Sequence, residues 1–304
     1  MEKIALIIPT LNGGRTFYDL MISLKDQTIE PQSKLIIDSM STDETPRIAN
    51  SFGFNVISIK PEEFNHGATR QMGVELNPNA DIIIFLTQDA ILFDSFALEN
   101  LIASFKEDGI GGAYGRQIPH KNASLIGEHA RSFNYSSLSK VKSITDIEQI
   151  GIKTAFISNT FGAYRRKALI ECGGFPSSTI FGEDTYIAAK MILSGWKIAY
   201  CAEAKVYHSH DYTFFQEFKR YFDIGVFHAR ESWIRENFGG AEGEGLRFIK
   251  SEMKYLLKSN FLLIPSAIYR SFLKFIAFRL GIIEKKLPRW LKVYLSMNLR
   301  FWDK

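Results

Sequence analysis

The chain is poor in cysteine, with Cys172 and Cys201 the only two in 304 residues. They build neither a disulfide framework nor a metal-ligand spacing, which suits a reducing cytosol. A Gly-x-Gly-x-x-Gly run and a P-loop are also missing, so dinucleotide-dependent and ATP-hydrolysing readings lose their main supports. The first apolar run, Lys3-Ile4-Ala5-Leu6-Ile7-Ile8-Pro9, has no basic lead or cleavage site, and no signal peptide is expected. No uncharged apolar stretch reaches the ~18 residues of a membrane span. Arg270, Lys274 and Arg279 interrupt the best candidate, and a membrane-spanning segment is not expected. There is no internal repeat.

What is present is ordinary in bulk and uneven in detail. Hydrophobic residues at 46% and charged residues at 23% fit a globular protein. The length allows one large α/β domain with an appendage, or two domains. Net charge is +4, yet residues 246–304 hold thirteen Lys/Arg against three Asp/Glu, a net of +10 that leaves residues 1–245 at −6. The same tail carries Phe272, Phe275, Trp290, Tyr294 and Trp302 among its many aromatics. Aromatics mixed with Lys and Arg suit a helix lying in a membrane interface. A nucleic-acid partner is not expected, because the basic residues stay out of the body that would hold a crevice.

In chain order, residues 3–10 read as a strand closed by Pro9 and the Asn12-Gly13-Gly14 turn. Phe17, Leu20, Met21 and Leu24 place an amphipathic helix over residues 16–27. Residues 35–38 and 56–59 are further strands, separated by a helix that Ser41 and Glu44 would open as a capping box. A helix over residues 68–76 leads into Asp81-Ile82-Ile83-Ile84-Phe85-Leu86-Thr87-Gln88-Asp89-Ala90, an apolar run with polar ends that reads as a buried parallel strand. A helix around Leu98, Leu101 and Phe105 and a strand over residues 111–117 follow. Residues 119–154 lose the pattern and are expected to form a mobile loop or substrate-facing insertion. Order returns over 156–163, followed by helices over 166–172 and 185–193, strands over 197–200 and 205–208, and a helical stripe from Thr213. Gly239, Gly240, Gly243 and Gly245 suggest a hinge before the tail. The alternation predicts an α/β fold, with a central, mostly parallel sheet flanked by helices. Residues 1–118 would form a nucleotide-binding half, 119–240 a catalytic half and 241–304 a helical extension.

Ligands of open α/β sheets sit beyond the carboxyl ends of strands. Asp38 and Asp89 end what read as neighbouring strands and would face one crevice. Asp38 could accept a nucleobase N–H or knot a turn with Ser39 and Ser41; Asp89 could hold a metal or cap a turn. Glu183-Asp184, at a helix start, is the candidate general base, with plain helix capping as the alternative. Only one of the two can face a pocket. His208 and His210, two apart after a strand, point the same way and suit an Mn2+-like ion together with Asp89. Arg70, on the first turn of a helix after Gly67, suits a phosphate or a base.

Assembled, these residues resemble glycosyltransferase family 2 with its GT-A fold, and within it the bacterial rhamnosyltransferases, over about residues 3–235. Ile7-Ile8-Pro9-Thr10-Leu11-Asn12 resembles the family's opening strand and loop, and Asp38-Ser39-Met40-Ser41-Thr42-Asp43 its Asp-Asp-Gly-Ser-Thr-Asp segment. Gly67-Ala68-Thr69-Arg70-Gln71-Met72-Gly73 is a loose match to Gly-x-x-x-Ala-Arg-Asn-x-Gly, and Gly182-Glu183-Asp184 carries the Glu-Asp motif. Thr87-Gln88-Asp89 replaces the family's Asp-x-Asp, losing the first acid. The rhamnosyltransferase branch is similar in that string, in Phe64-Asn65-His66-Gly67 and in the His208–Phe214 segment. The resemblance implies Asp184 as catalytic base, and Pro9, Thr10, Asn12, Asp38, His66, Gly67, Arg70, Thr87 and Gln88 on the donor. It puts Asp89 and His208 on a divalent cation, Mg2+ or Mn2+, with Glu183 and Asn159 on the acceptor side. The donor implied is dTDP-L-rhamnose, transferred with inversion to a glycan acceptor, polyprenyl-linked, in O-antigen or capsule synthesis. The enzyme would work in the cytoplasm at the inner face of the membrane, its tail on anionic lipid. The rival readings are the same fold using a UDP-hexose, and a non-catalytic nucleotide-sugar-binding protein in which Thr87 records a lost metal site.

Overall fold

A computed structural model describes residues 2–240 and 242–303. Strands β1 (Ile4–Thr10), β2 (Ser33–Asp38), β3 (Asn55–Ser58) and β4 (Ile82–Leu86) lie parallel in the order β3-β2-β1-β4. Helices α1 (Gly14–Lys25), α2 (Thr45–Ser51) and α3 (His66–Glu75) connect them. Every residue of β4 is buried, because the sheet is covered on both faces. Alternate residues feed two cores: Ile7, Ile37, Ile83 and Phe85 enter one, and Leu6, Ile8, Ile36, Ile82 and Ile84 the other.

The second half adds β5 (Ile91–Leu92), α4 (Ala97–Ala103), β6 (Ile110–Ile118), α5 (Leu125–Asn134), β7 (Lys140–Lys142), α6 (Ile147–Ile150), β8 (Phe161–Arg165), α7 (Arg166–Glu171), α8 (Glu183–Leu193) and β9 (Lys197–Tyr207). The sheet continues β4-β8-β6-β9-β5, with β7 also on β9. It is parallel in the first half and mixed in the second, since β8 runs against both β4 and β6 while β9 runs with β6. Two reversals restore the direction, so β1, β2, β4, β6 and β9 all end at one edge. The two strands expected over 197–208 are one, with a register shift between Gly115/Arg116 and Cys201/Lys205 that bends it.

Residues 119–154 are not the loose insertion the missing periodicity suggested. They hold α5, β7, α6 and short 3-10 turns. Lys142 pins them: its buried ammonium donates to the carbonyls of Lys153 and Phe156 and lies 4.9 Å from the Tyr114 ring. These contacts join distant pieces of chain, which is why no local pattern announced them.

The tail comprises α11 (Glu242–Ser259), α12 (Ile264–Ile282) and α13 (Arg289–Leu295), after α9 (Phe214–Arg230) and α10 (Ser232–Phe238). Gly243 and Gly245 lie inside α11, and of the expected hinge glycines only Gly239, φ +81°, and Gly240 fall between described helices. Helix α12 lies on α9 backbone to backbone. A Cβ on Gly281 would stand 2.2 Å from the Phe222 carbonyl, and one on Gly225 2.3 Å from that of Phe278. Asp223 on α9 accepts from Ser296 Oγ (2.6 Å), Met297 N (2.9 Å) and Asn298 Nδ2 (2.8 Å), and Trp302 packs toward Phe222. The extension therefore shares the core of the preceding half. By length and composition alone, Phe261–Ile282 is long and apolar enough to cross a membrane, although Arg270, Lys274 and Arg279 fall within it. Two of its interrupting cations fold inward: Arg270 and Lys274 both reach Glu217, at 2.8 and 2.9 Å, leaving Arg279, Phe272 and Phe275 exposed on the outer face.

Candidate active site

The edge where the parallel strands end collects the candidate residues. Asp38 is 1% exposed. Its carboxylate accepts from Thr10 Oγ1 (2.8 Å), Ser41 N (2.8 Å) and Ser41 Oγ (2.6 Å), so it knots the turn after β2. Ser41 is thereby used up and does not cap α2, which begins at Thr45 with Glu44 before it and no capping hydrogen bond. Asn12, at φ +47°, donates its N–H to Ser41 Oγ and accepts from Thr42 N, each at 2.8 Å. Gln88 clamps Leu11 twice, accepting its N–H (2.8 Å) and donating to its carbonyl (3.0 Å). Hydrogen bonds thus tie Thr10 to Asp38, Asn12 to the turn after β2, and Gln88 to Leu11 at this edge, with Pro9 in β1 beside Ile37. Thr87 donates its N–H to Thr160 O at 3.2 Å. Asp38 and Asp89 do not end adjacent strands as expected, because β1 runs between β2 and β4.

The second group sits at the start of α8. Asn65 caps α3, accepting from Gly67 N and Ala68 N at 3.0 Å each, and donates to Thr179 O at 3.1 Å. A Cβ on Gly67 would meet Pro176 O at 1.8 Å, so only glycine lets α3 approach this closely. The approach delivers Arg70 to Glu183, 3.1 Å apart with both side chains buried. The guanidinium expected on a phosphate or base instead balances this carboxylate, because an ionised acid so deep needs a counter-charge. Arg70 also donates to the His66 carbonyl (2.9 Å), and burial holds the His66 imidazole below its usual range. Asn159 donates to Glu183 Oε1 (2.9 Å) and accepts from the Tyr164 hydroxyl (2.8 Å), so Glu183 and Asn159 satisfy each other. Asp184 accepts from Thr185 N at 2.7 Å and Asn159 N at 3.4 Å. Burial, reinforced by the adjoining charge of Glu183, pushes its pKa up to about 7. A carboxyl so poised can take a proton near neutral pH.

The third group is Asp89, His208 and His210, with one ligand atom from each all within 4.8 Å of one another. Asp89 Oδ2 lies 3.4 Å from His208 Nε2 and 3.7 Å from His210 Nε2. Burial lowers both imidazoles, His210 to about 4, so they are neutral at pH 7. Burial alone would raise Asp89, yet the neighbouring His208 and His210 hold it well below the usual carboxylate range. Neutral imidazoles beside an ionised carboxylate are the protonation states a divalent cation requires. One oxygen and two nitrogens suit Mn2+-like ions and leave positions free for other oxygens. His210 thus joins the pair expected to hold the metal.

Gln117 and Ser158 were not singled out in the sequence. Gln117 Oε1 lies 2.8 Å from His208 Nδ1, and its Nε2 donates to Ser158 Oγ at 2.9 Å. Gln117 lies near the carboxyl end of β6, and the strand-end rule that picked Asp38 and Asp89 would have picked it too. Its partner 91 residues away left no local signal.

The sequence profile of Glycosyl transferase family 2 matches residues 5–173. The chain belongs to that family. It is 50% identical over 302 residues to the O-antigen chain rhamnosyltransferase RfbN of Salmonella typhimurium, covering 99% of this chain and 96% of the relative. To WbaN of Salmonella anatum, of the same description, it is 46% identical over 304 residues, covering 100% and 96%. Among solved structures it resembles the mannosyltransferase PcManGT from Pyrobaculum calidifontis in complex with GDP-Man and Mn2+, with TM-score 0.65, 14% identity, and 94% and 88% of the two chains covered. It also resembles S. aureus TarS 1-349 in complex with UDP-GlcNAc, with TM-score 0.56, 14% identity, and 93% and 91% covered. At that identity the likeness carries the fold alone. The GT-A architecture and the glycosyltransferase class expected from the sequence both hold.

Proposed function

We propose that this glycosyltransferase moves L-rhamnose from dTDP-L-rhamnose to a saccharide acceptor, polyprenyl-linked, in O-antigen assembly. The two Salmonella relatives, matched along nearly their whole length, support the sugar and the pathway. The observation that carries the mechanism is Asp184, a half-buried carboxyl at the start of α8 pushed up to about 7. It accepts the acceptor hydroxyl's proton as that oxygen bonds to the anomeric carbon, while the bond to the diphosphate breaks on the opposite face. One displacement inverts the configuration. Glu183, held by Arg70 and Asn159, raises the basicity of Asp184, while the Thr185 and Asn159 N–H groups hold the Asp184 carboxylate. Asp89, His208 and His210 would hold a divalent cation, whose charge offsets that of the leaving diphosphate. Pro9, Thr10, Asn12 and Asp38 would shape the nucleotide seat, with His66, Gly67, Thr87 and Gln88 also on the donor side.

The enzyme would work in the cytoplasm on the inner face of the membrane. The exposed Phe272, Phe275 and Trp290 would lie in an anionic lipid surface, among the tail's basic residues. A panel of dTDP-L-rhamnose, UDP-galactose and UDP-GlcNAc with a polyprenyl-diphosphate-linked glycan tests the proposal. Released nucleoside diphosphate should appear with the rhamnose donor. Preference for a UDP-hexose would overturn the donor, and no turnover with any donor would overturn the enzymatic reading.

A further inference from the structure

The short turn before β8 touches both candidate centres. Asn159 reaches Asp184 and Glu183, while Ser158, one residue earlier, accepts from the Gln117 amide at 2.9 Å. Gln117 is 3% exposed and His208 6%, so neither has water to exchange for a lost partner. With its NH2 committed to Ser158, Gln117 presents its carbonyl oxygen to His208 Nδ1 at 2.8 Å. A carbonyl cannot donate, so the ring proton belongs on Nδ1.

That placement has a competitor. His208 Nε2 faces the Asp89 carboxylate, which would draw the proton to Nε2 and close the two ligands on each other. The distance there, 3.4 Å, is long for a charge-assisted hydrogen bond, whereas the contact to Gln117 is of ordinary length. From this geometry we infer that Gln117, oriented by Ser158, is a positioning residue that fixes His208 in its Nδ1-protonated form. The Nε2 lone pair then stays open toward Asp89 and His210. The inference deepens the cation-site reading above and rests on it for the use made of that lone pair, but not for the tautomer itself.

Gln117→Met removes the acceptor at similar length, Gln117→Glu keeps one, and Ser158→Ala frees the amide from the other side. The tautomer is read by 15N NMR of the imidazole without metal, and Mn2+ affinity by EPR titration of the full chain. In the wild type and in Gln117→Glu, His208 should carry its proton on Nδ1. In Gln117→Met it should move to Nε2, and Mn2+ should bind on the order of 10- to 100-fold more weakly. Ser158→Ala should fall between, and it serves if the methionine variant does not fold. An unchanged tautomer in folded Gln117→Met and Ser158→Ala would overturn the inference. A shifted tautomer in a chain whose wild type binds no Mn2+ would uphold it and overturn the cation reading.

Discussion

Asp89 lies a third exposed between two imidazoles, whereas Asp184 is held at the start of α8 with the charge of Glu183 beside it. The first stays ionised far into acid; the second titrates near neutrality. Neither property belongs to aspartate. His208 reaches Asp89 from the end of β9, and α3 brings Arg70 to Glu183 rather than to Asp184, so the same carboxyl group meets opposite surroundings. Environments that push two acids apart would let one site divide holding a cation from taking a proton.

Exchanging one acid at a time should separate the two roles. Asp184→Asn should lower kcat by about 10²- to 10⁴-fold while Mn2+ affinity stays at the wild-type value. Asp89→Asn should instead weaken Mn2+ binding by roughly 100-fold, with activity restored by excess Mn2+, and EDTA should silence the wild type. If both substitutions weakened Mn2+ equally, the division of labour would be wrong. The pH profile sharpens the contrast. Asp184 must be unprotonated to accept a proton, so kcat/KM should rise about tenfold per pH unit up to about 7 and level above it. Glu183→Gln removes one of the two causes of the raised pKa, and the acid limb should move to lower pH. That variant also strands Arg70 in a buried site and should lose roughly 3–5 kcal/mol of stability, measured by urea titration. The smallest effect lies farthest from the cleft. Phe272→Ser and Trp290→Ser should reduce co-sedimentation with anionic liposomes while leaving kcat on a water-soluble acceptor unchanged. Retained sedimentation would show that this face is not the membrane contact.

The parallel half was legible because each strand there is a short apolar run with polar ends, and burial of β4 on both faces writes that pattern directly into residues 82–86. Asp89 stood out because it follows such a run, and Asp184 because Glu183-Asp184 opens a helix. Residues 119–154 did not, since their order comes from Lys142 meeting Tyr114 and Phe156 across the fold. Ser41 misled for a related reason: its spacing to Glu44 fits a capping box, but a buried carboxylate three residues earlier competes for the same hydroxyl. The Arg70–Glu183 pair spans 113 positions and leaves no trace in spacing.

The glycine contact between α9 and α12 has a mechanical consequence. With no side chain between them, the two helices cannot slide or tilt independently without backbone collision, and α9 begins four residues after His210. Whatever surface orients α12 would therefore also bear on the proposed cation-site residues just ahead of α9. The tail would then act as a gauge stand, holding the proposed site at one working distance from the surface on which α12 rests.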